Sequence, residues 1–217
     1  MIENKIIAPN CYLPSIAYMA FLLNANQFEI EAHENFAKST ERNRAYIAGT
    51  NAALMLSIPV EGGKGHRQLF KDTKISYEFR WQKIHWQTLC SCYRRSAYFE
   101  YYEEKLEPFY SKKFDFLFDY NTQLLHTILG MLKSETAISY TDSYKKNHTD
   151  EVIDLRKHFK NSNDFVVDEF QFEPPHYFQC FEKNSGFMQN LSVLDILFSE
   201  GPNAKAIVTN SLKAKQL

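Results

Sequence analysis

The sequence predicts an α/β domain, in which an N-terminal mixed sheet with a βαβ opening and a hairpin is followed by a mainly helical region. A short apolar run, a capped apolar helix and an alternating strand follow one another in residues 5–33. Two more short apolar runs surround Gly49, and helical periodicity dominates residues 79–133. A chain of 217 residues suits a single domain. We divide it into a sheet-rich part (1–78), a helical part (79–133) and a mixed C-terminal part (134–217).

The predicted βαβ opening begins with an apolar run, Lys5–Ala8, that is typical of a buried strand. A loop with two prolines (9–14) follows, and Ser15 is a suitable N-cap for a helix over residues 16–24. Residues 28–33 then alternate between apolar and polar positions, as a half-buried strand does. In such a unit the two strands pair in parallel and the crossover is right-handed.

A hairpin is predicted at residues 45–60, because two short apolar runs flank the turn-forming triplet at 49–51. The second strand turns alternate apolar residues from 54 to 60 to one face. Pro59 has no N–H to donate, so it should end that strand or lie on an edge. The polar, glycine-containing stretch 61–72 is predicted to be a mobile loop.

Helices are expected over residues 79–93, over 97–107 after the capping residue Ser96, and from Asp119 to about residue 133. Pro108 should end the second helix or start a new turn. One face of the first helix carries Trp81, His85, Leu89 and Cys92. The elements expected in the C-terminal part are a polar loop (134–149), a short turn or helix (151–159), strands (165–172 and 176–181) and helices (193–199 after Ser192, and 204–213).

Composition excludes several classes of protein. Lys plus Arg number 25 against 26 for Asp plus Glu, so the chain lacks the basic excess of a nucleic-acid binder. It has only 7 glycines and neither of the glycine-rich phosphate-binding motifs. The spacing of Cys90 and Cys92 is too tight for zinc, and the histidines lack zinc-binding pairs. We therefore predict free thiols, no metal site and no cofactor.

The segments that direct a chain to a membrane are also lacking in the sequence. The first residues are charged and do not form the apolar core of a signal peptide. The longest uncharged apolar stretch, 16–23, is far shorter than the roughly 20 residues of a spanning helix. We expect a cytoplasmic protein that does not insert into a membrane. The sequence leaves the oligomeric state open, a homo-oligomer included.

Six stretches of the chain together resemble the WbqC-like protein family of bacteria, in the form found in Bacteroidetes-type bacteria. They are Tyr12-Leu13-Pro14, His33-Glu34-Asn35-Phe36-x-Lys38-x-Thr40-x-Arg42-Asn43-Arg44, Leu56-Ser57-Ile58-Pro59-Val60, Trp81 with His85-Trp86, Gly186-Phe187-x-x-Asn190-Leu191-Ser192-Val193-Leu194-Asp195-x-Leu197-Phe198, and Gly201-Pro202. The chain departs from the family's common opening, Gln-Pro-x-Tyr-x-Pro, because residues 8–14 lack the glutamine.

The resemblance implies a role in the biosynthesis of surface polysaccharide (O-antigen). It also implies a transferase that moves an amino-acid or acyl group onto a nucleotide-linked or carrier-linked sugar. The opening is similar, more distantly, to nucleotidylyltransferase-type α/β domains. Those domains hold phosphates with histidines that this chain lacks between residues 5 and 24, so the architecture is expected to carry over without the chemistry.

Arg42-Asn43-Arg44 is the sharpest candidate for substrate binding. If these residues enter a strand, Arg42 and Arg44 share one face, and two guanidinium groups at that spacing suit a phosphate or carboxylate. Lys38 would add a third cation. We therefore predict an anionic small-molecule substrate. The alternative is a solvated strand edge, on which basic residues deter aggregation.

His33 is the candidate catalytic residue, because it ends a strand where α/β sheets bind ligands and can accept a proton from an amine or hydroxyl. Otherwise it is a surface histidine bonded to a carboxylate. Tyr12 either orients the substrate or packs in the core. His85 is interpreted as a packed histidine. An acidic stripe on the second predicted helix is interpreted as a solvated face, and it consists of Glu100, Glu103, Glu104 and Glu107.

Two functions therefore remain open. The first is the transferase, which requires His33, Arg42, Arg44 and Tyr12 to meet in one cleft. The second is a non-catalytic partner of glycan-synthesising enzymes, with exposed aromatic residues at 109–118 as its contact surface. This second function requires an exposed apolar patch above about 400 Å².

Overall fold

The computed structural model describes residues 2–62, 68–149, 151–159 and 170–214. Its strands are Lys5–Ala8 (β1), Phe28–Ile30 (β2), Arg44–Ile47 (β3), Leu54–Ser57 (β4), Ile138–Tyr140 (β5), Val152–Asp154 (β6), Phe170–Phe172 (β7) and Leu212–Ala214 (β8). Its α-helices are Ile16–Asn24 (α1), Trp81–Tyr93 (α2), Phe99–Ser111 (α3), Leu117–Met131 (α4), Glu182–Ser185 (α5), Val193–Glu200 (α6) and Ala204–Asn210 (α7). Short 3₁₀ turns occupy Phe70–Asp72 and Gly201–Asn203.

Four parallel strands form the central sheet, in the order β5-β2-β1-β6. In order of appearance along the chain this arrangement is 3-2-1-4, so the direction of the strand order reverses between β1 and β6. Doubly wound sheets bind ligands at the carboxyl ends of the strands where this reversal occurs. The α/β fold class and the parallel βαβ opening are confirmed. The carboxyl ends of β1 and β6 are therefore the first place to look for a site.

Helix α1 covers one face of this sheet and is buried from Ile16 to Leu22. The predicted cap is confirmed, since the Ser15 side chain accepts a hydrogen bond from the backbone N–H of Tyr18. The Tyr18 ring packs edge-on against Phe28 of β2 at 5.6 Å between centroids. Helices α6 and α7 pack against α1 in turn. A nine-residue helix this apolar is stable because tertiary packing covers it on every side.

The hairpin is confirmed as the antiparallel pair β3–β4, with Arg44 opposite Ser57 and Ile47 opposite Leu54. The N-terminal part thus contains both parallel and antiparallel pairs, in two sheets. Gly49 is required in the turn, because a Cβ there would lie 2.5 Å from the Ala52 carbonyl oxygen. Strand β4 ends two residues before the proline that was expected to end it.

In the helical part, the predicted buried face of α2 is confirmed, because its four residues are all buried. Helix α3 differs from the prediction, since it begins at Phe99 and continues through Pro108 to Ser111. The Ser96 hydroxyl bonds the Tyr93 carbonyl and does not cap α3. Helix α4 begins at Leu117, so Asp119 lies in its first turn. The acidic stripe of α3 lies on the outer face, as predicted.

Two strands of the central sheet were not predicted. Strand β5 lies in the expected loop 134–149, and β6 lies where a turn or helix was expected. Each has three residues, which is too short for a periodic pattern. The strand expected at 176–181 does not form, and the last helix ends at Asn210, where β8 takes over to pair with β7.

Some sequence predictions fall on residues outside the described parts. The predicted strand 165–172 is seen only as β7, since 165–169 lie outside them, and so do 63–67 of the predicted loop. Within the described residues, no helix is both long enough and apolar enough to cross a lipid bilayer.

Candidate functional site

Arg42 lies in the turn before β3, and the expectation that it shares a strand face with Arg44 is wrong. Its guanidinium makes a bidentate ion pair with Glu34, through Nε to Oε1 at 2.7 Å and Nη2 to Oε2 at 2.6 Å. The Arg42 side chain is only 3% exposed. Burial raises the pKa of Glu34, and the hydrogen bonds and charge of Arg42 oppose the rise. The guanidinium is therefore already paired with a carboxylate.

A second buried ion pair lies at the carboxyl ends of the parallel strands. Arg156, after β6, donates from Nη1 to Glu31 Oε2 at 2.9 Å and from Nη2 to Asp154 Oδ2 at 2.6 Å. Glu31, after β2, also accepts from the Thr141 hydroxyl at 2.7 Å and from the backbone N–H of His33 at 2.8 Å. Burial acts to raise the pKa of Asp154, but the bonds and charge of Arg156 outweigh it and lower that pKa. This network ties three strand ends together.

The third feature of this edge is a group of buried polar side chains, which we call the acceptor cluster: Asn10, Glu41, Asn43 and Asn121. In each asparagine the amide nitrogen donates to a backbone carbonyl, at 2.8–3.2 Å, while Oδ1 has no partner among the described residues. Asn121 links the group, because it donates to the carbonyls of Asn10 and Arg42. Each unmatched buried acceptor costs about 1–3 kcal/mol.

Glu41 is the charged member of the acceptor cluster and is 3% exposed. The hydroxyl and the backbone N–H of Ser15 hydrogen-bond its carboxylate. Burial raises the pKa of Glu41 to about 7, although the hydroxyl and amide of Ser15 and the charge of Arg42 act to lower it. The Glu41 charge in turn raises the pKa of Cys11, whose thiol is shifted mainly by burial. This carboxylate changes its charge near neutral pH.

The N-terminus of α1, where doubly wound sheets often hold a phosphate, is closed in this chain. The backbone N–H of Ile16 donates to the Leu191 carbonyl at 2.9 Å, and that of Ala17 donates to Asn190 Oδ1 at 2.8 Å. The C-terminal part of the chain therefore occupies the donors that a phosphate would use. This agrees with the expectation that nucleotidyl chemistry does not carry over.

A groove of about 490 Å³ lies between β4 and α2, and we call it the hairpin groove. It is lined by Leu54, Met55, Leu56, Ser57, Pro59, Phe79, Trp81, Ile84, His85 and Thr88. Phe79 is 70% exposed, Ile84 56% and Met55 48%, so the rim is strongly apolar. Its described lining residues include no carboxylate, ammonium or guanidinium group. The groove thus suits an uncharged, largely apolar group.

His85 forms part of the groove wall and connects it to two buried tyrosines. The Tyr12 hydroxyl lies 3.0 Å from His85 Nδ1 and 3.2 Å from the Tyr110 hydroxyl. Burial lowers the pKa of His85 to about 4, against the opposing effect of the Ser57 carbonyl. The imidazole is therefore neutral at neutral pH. Tyr12 is fully buried, and its hydroxyl is linked to the groove by the contact with His85, which lines the groove.

The other predicted site residues lie apart from one another. Lys38 is exposed and donates from Nζ to the Gly62 carbonyl at 3.0 Å. His33 is partly exposed, with the Lys71 ammonium 3.5 Å from Nδ1. Asn43 is buried in the acceptor cluster. Arg44 is half-buried, and its Nε has no partner among the described residues. None of the four residues that the transferase was expected to gather in one cleft, His33, Arg42, Arg44 and Tyr12, lines a cavity described for this chain.

A second cavity, of about 400 Å³, lies on the sheet face opposite α1. Its floor includes Ile7 and Glu29, and polar residues of the segment 141–149 cover it. The Arg156 guanidinium holds that segment by donating to the Lys145 carbonyl at 2.8 Å. The lining is polar and partly ion-paired, so this cavity differs in character from the hairpin groove.

The aromatic residues expected to form a contact surface are instead part of the core. Phe109 and Phe118 are buried, and Phe109 packs in parallel on Phe114 at 5.9 Å between ring centroids. They are buried because α3 and α4 pack against each other. Of the large apolar side chains exposed in the described residues, Leu54, Met55, Phe79 and Ile84 lie together at the hairpin groove.

Glu34, Glu41 and Arg156 are the residues of this edge that sequence reasoning did not select. Glu34 and Glu41 lie inside the resembling stretch 33–44, next to residues that were selected, and this was the available signal. Arg156 bonds its neighbour Asp154, but its fully buried partner Glu31 is 125 positions away, so no local pattern in the sequence indicates that pair. No group of three or more His, Cys, Asp or Glu side chains in the described ranges is arranged to hold a metal ion.

The parallel order of the central sheet and the helices that follow it define an α/β domain. The chain belongs to the WbqC-like protein family, which matches residues 10–166. It is similar to the uncharacterised protein Rv1507c of Mycobacterium tuberculosis, with 23% identity over 218 positions, which cover 91% of this chain and 94% of that protein. No solved structure matches the chain.

Proposed function

We propose that the protein is a transferase of bacterial surface-polysaccharide biosynthesis, which moves an amino-acid or acyl group onto a nucleotide-linked or carrier-linked sugar. The observation that carries this proposal is the hairpin groove. Its apolar lining suits the hydrocarbon part of the transferred group, and Ser57 and His85 offer polar contacts within it. Residues from two of the resembling stretches, 56–60 and 81–86, form its walls.

Arg44 and Lys38 are assigned to the anionic part of the substrate. Arg42 is excluded from that contact by its bidentate bond to Glu34. Arg44 and Lys38 form no ion pair with any residue of the described ranges. Arg44 is the cross-strand neighbour of Ser57, which lines the groove, so an anion on Arg44 lies next to the groove.

His33 keeps the proposed role of proton acceptor for the attacking amine or hydroxyl. It follows β2 at the carboxyl edge of the sheet, and its imidazole is partly exposed to a ligand. His33→Asn should therefore slow turnover at least about tenfold. An unchanged rate would reject the role.

The binding part of the proposal is tested by thermal unfolding with UDP-glucose, UDP-N-acetylglucosamine, acetyl-CoA and aminoacylated donors. We expect one nucleotide-linked ligand to raise the melting temperature of the parent chain, and Arg44→Ala to remove most of that shift. Arg95→Ala is the matched control, since Arg95 is exposed on a different part of the surface. Equal ligand-induced shifts in the parent and Arg44→Ala would contradict the assignment.

The second candidate function is a non-catalytic partner of glycan-synthesising enzymes. The exposed apolar rim of the hairpin groove favours it, because large exposed apolar residues gathered at one place are typical of an interaction surface. Mass spectrometry separates the two functions. A transferase attaches the group to a sugar when the purified chain is the sole protein present, whereas a partner forms no product with any donor and acceptor pair.

A further inference from the structure

The second strand of the hairpin has a free edge at the hairpin groove. Within the described residues, β4 pairs with β3 alone. The Ile58 N–H donates to the Asn43 carbonyl at 2.9 Å, just beyond the end of the two strands. Because bonded and non-bonded pairs alternate along an antiparallel ladder, the backbone groups of Met55 and Ser57 point away from β3.

Hydrogen bonds on both sides of the hairpin agree with this alternation. Tyr46 of β3 stands opposite Met55, and its outward carbonyl accepts from the Ser192 N–H at 2.8 Å. The outward carbonyl of Ser57 accepts a hydrogen bond from the His85 ring. The N–H and the carbonyl of Met55 have no partner among the described residues. Since Met55, Ser57 and His85 all line the hairpin groove, the free backbone groups of Met55 lie in its wall.

The free part of this edge matches one amino-acid residue. In an antiparallel ladder, two residues of a bonded pair exchange two hydrogen bonds, each giving its N–H and accepting with its carbonyl. Met55 offers both groups. A longer partner strand would need further free carbonyls, but β4 has four residues and the carbonyl of Ser57 is occupied by His85. A single extended residue therefore satisfies the edge.

The surroundings of Met55 select an apolar, uncharged side chain on that residue. The exposed apolar side chains of Leu54, Phe79 and Ile84 stand around the groove, and its described lining residues carry no charge. Proteins usually protect a free edge with a charged residue or a proline in the strand, and β4 contains neither. Apolar pockets beside free backbone groups are typical of edges that bind extended ligands.

We infer that the free edge of β4 binds the aminoacyl group of the donor as an extended, apolar amino-acid residue. The N–H of this residue donates to the Met55 carbonyl, its carbonyl accepts from the Met55 N–H, and its side chain packs in the hairpin groove. This inference rests on the proposed function and narrows it, because a plain acyl group has no N–H to donate. A peptide segment of a partner protein has the same backbone groups, and the experiment separates the two.

The test is NMR titration of the full chain labelled with ¹⁵N-methionine, which gives few signals because the chain has five methionines. The first probe is N-acetyl-L-leucine methylamide. The second is the same compound methylated on the leucine nitrogen, which removes the N–H, and the third is N-acetyl-L-glutamate methylamide. We expect the first probe to move the Met55 amide proton downfield and to bind about fivefold or more tightly than the other two. Equal binding of the two leucine probes, or an unchanged Met55 signal, overturns the proposal without any variant being made.

Met55→Pro is the variant that tests the edge itself. It removes the N–H that points into the groove and no hydrogen bond to β3, and proline is tolerated at such a position of an edge strand. Isothermal titration should show that the preference for the probe with the N–H falls to less than about twofold. Met55→Leu is the matched control, because it keeps the backbone N–H and should keep the preference. An undiminished preference in folded Met55→Pro would overturn the assignment, and if that variant does not fold, the two leucine probes decide.

An N-acetylated pentapeptide of alternating leucine and valine tests the other source of the same backbone chemistry. We expect it to bind no more than about threefold more tightly than the single-residue probe, because one residue fills the free edge. Binding that is tighter by about tenfold or more, and that Met55→Pro weakens, would assign the edge to a peptide segment and overturn the aminoacyl assignment.

The transfer assay distinguishes this proposal from the proposed function. Equal rates of transfer from an aminoacyl donor and from the matching donor without the amino group would leave the transferase intact and defeat the assignment of the β4 edge. Selective binding at Met55, with no product from any donor, would support the edge site and defeat the transferase.

Discussion

At the scale of single residues, Arg42 and Arg44 show how two neighbouring guanidinium groups acquire different roles. Arg42 is buried and bonded to both oxygens of Glu34. Arg44 is half-buried on the hairpin and has no acidic partner among the described residues. A buried ion pair is costly to break, because removing one partner leaves the other charge buried and unmatched. Arg42 is therefore a structural residue of the sheet edge, and Arg44 is the one available to a ligand.

Arg42→Ala should lower the free energy of unfolding by about 3–5 kcal/mol, because it leaves the Glu34 carboxylate buried without its partner. Arg44→Ala should lower it by less than about 1 kcal/mol, since no ion pair is lost. Urea unfolding followed by circular dichroism measures both. Similar losses for the two variants would show that the burial of the Glu34 pair does not control stability.

Glu41 predicts a dependence of stability on pH. Burial raises the pKa of Glu41 from 4.5 in the unfolded chain to about 7 in the folded one, so the protonated carboxyl favours the fold. This contribution is complete below pH 4.5 and is lost as the pH rises through about 7, at a total of about 3 kcal/mol. Glu41→Gln should remove it, and urea unfolding at several pH values measures the difference.

The prediction concerns the difference in the free energy of unfolding between Glu41→Gln and the parent. This difference is needed because other buried acids, such as Asp195, also have shifted pKa values in both chains. The gain in stability from the substitution should grow from pH 5 to pH 7.5. Glu104→Gln is the control and should show no such trend. A gain that stays constant over this range would mean that Glu41 is not shifted.

At the scale of elements, α1 shows that a helix near the N-terminus depends on residues near the C-terminus. Its first two backbone N–H groups bond Leu191 and Asn190. Asn190 has a φ of 53°, a left-handed conformation that asparagine tolerates better than most residues. The start of α1 therefore uses two caps, the local residue Ser15 and the distant residue Asn190.

Asn190→Ala should lower the free energy of unfolding by about 1–3 kcal/mol, because the Ala17 N–H loses its acceptor and alanine disfavours a positive φ. Asn190→Asp should retain most of the stability, since a carboxylate also accepts this bond and favours a helix N-terminus. Thermal and urea unfolding of both variants provide the measurement. An equal loss in both would show that the Ala17 bond is not what Asn190 contributes.

At the scale of the whole molecule, the C-terminal third completes a structure that the N-terminal third begins. Strands β5 and β6 supply both outer strands of the central sheet, and α6 and α7 pack on α1. The family match ends at residue 166, before α6 and α7. The matched segment therefore lacks α6 and α7, the helices that pack on α1.

A chain cut after residue 166 should not unfold cooperatively, because the outward face of α1 would be exposed to water and its N-terminus would lose Asn190. We expect weak near-ultraviolet circular dichroism, binding of the dye ANS and no sharp urea transition. A chain cut after residue 214 is the control and should unfold in one transition. A sharp transition of the 1–166 chain would show that α6 and α7 are dispensable.

The fold was predictable to the extent that each element carries its own pattern. The alternation of β2, the capped apolar run of α1 and the buried face of α2 are local, and all three are confirmed. Strands β5 and β6 were missed because three residues that form a strand by pairing with β2 and β1 show no pattern of their own.

The candidate site was less predictable than the fold. Tyr12 and His85 were selected separately in the sequence, and their hydrogen bond at 3.0 Å joins residues 73 positions apart. The basic character of Arg42 was visible, but its partner Glu34 was interpreted as part of the same motif and not as its counter-ion. Hydrogen bonds to particular partners decide which charges remain free, and spacing along the chain does not contain that information.

The sequence by itself determined the α/β class, the βαβ opening, the hairpin and membership of the WbqC-like family, since these follow from periodicity and from runs of neighbouring residues. Only the tertiary structure decided the order of the parallel strands, the pairing of Arg42 and Arg156 with buried glutamates, and the burial of Glu41 and of three asparagines. The physical reason is that charge, exposure and pKa depend on which distant groups exclude water from a side chain, and packing brings those groups together.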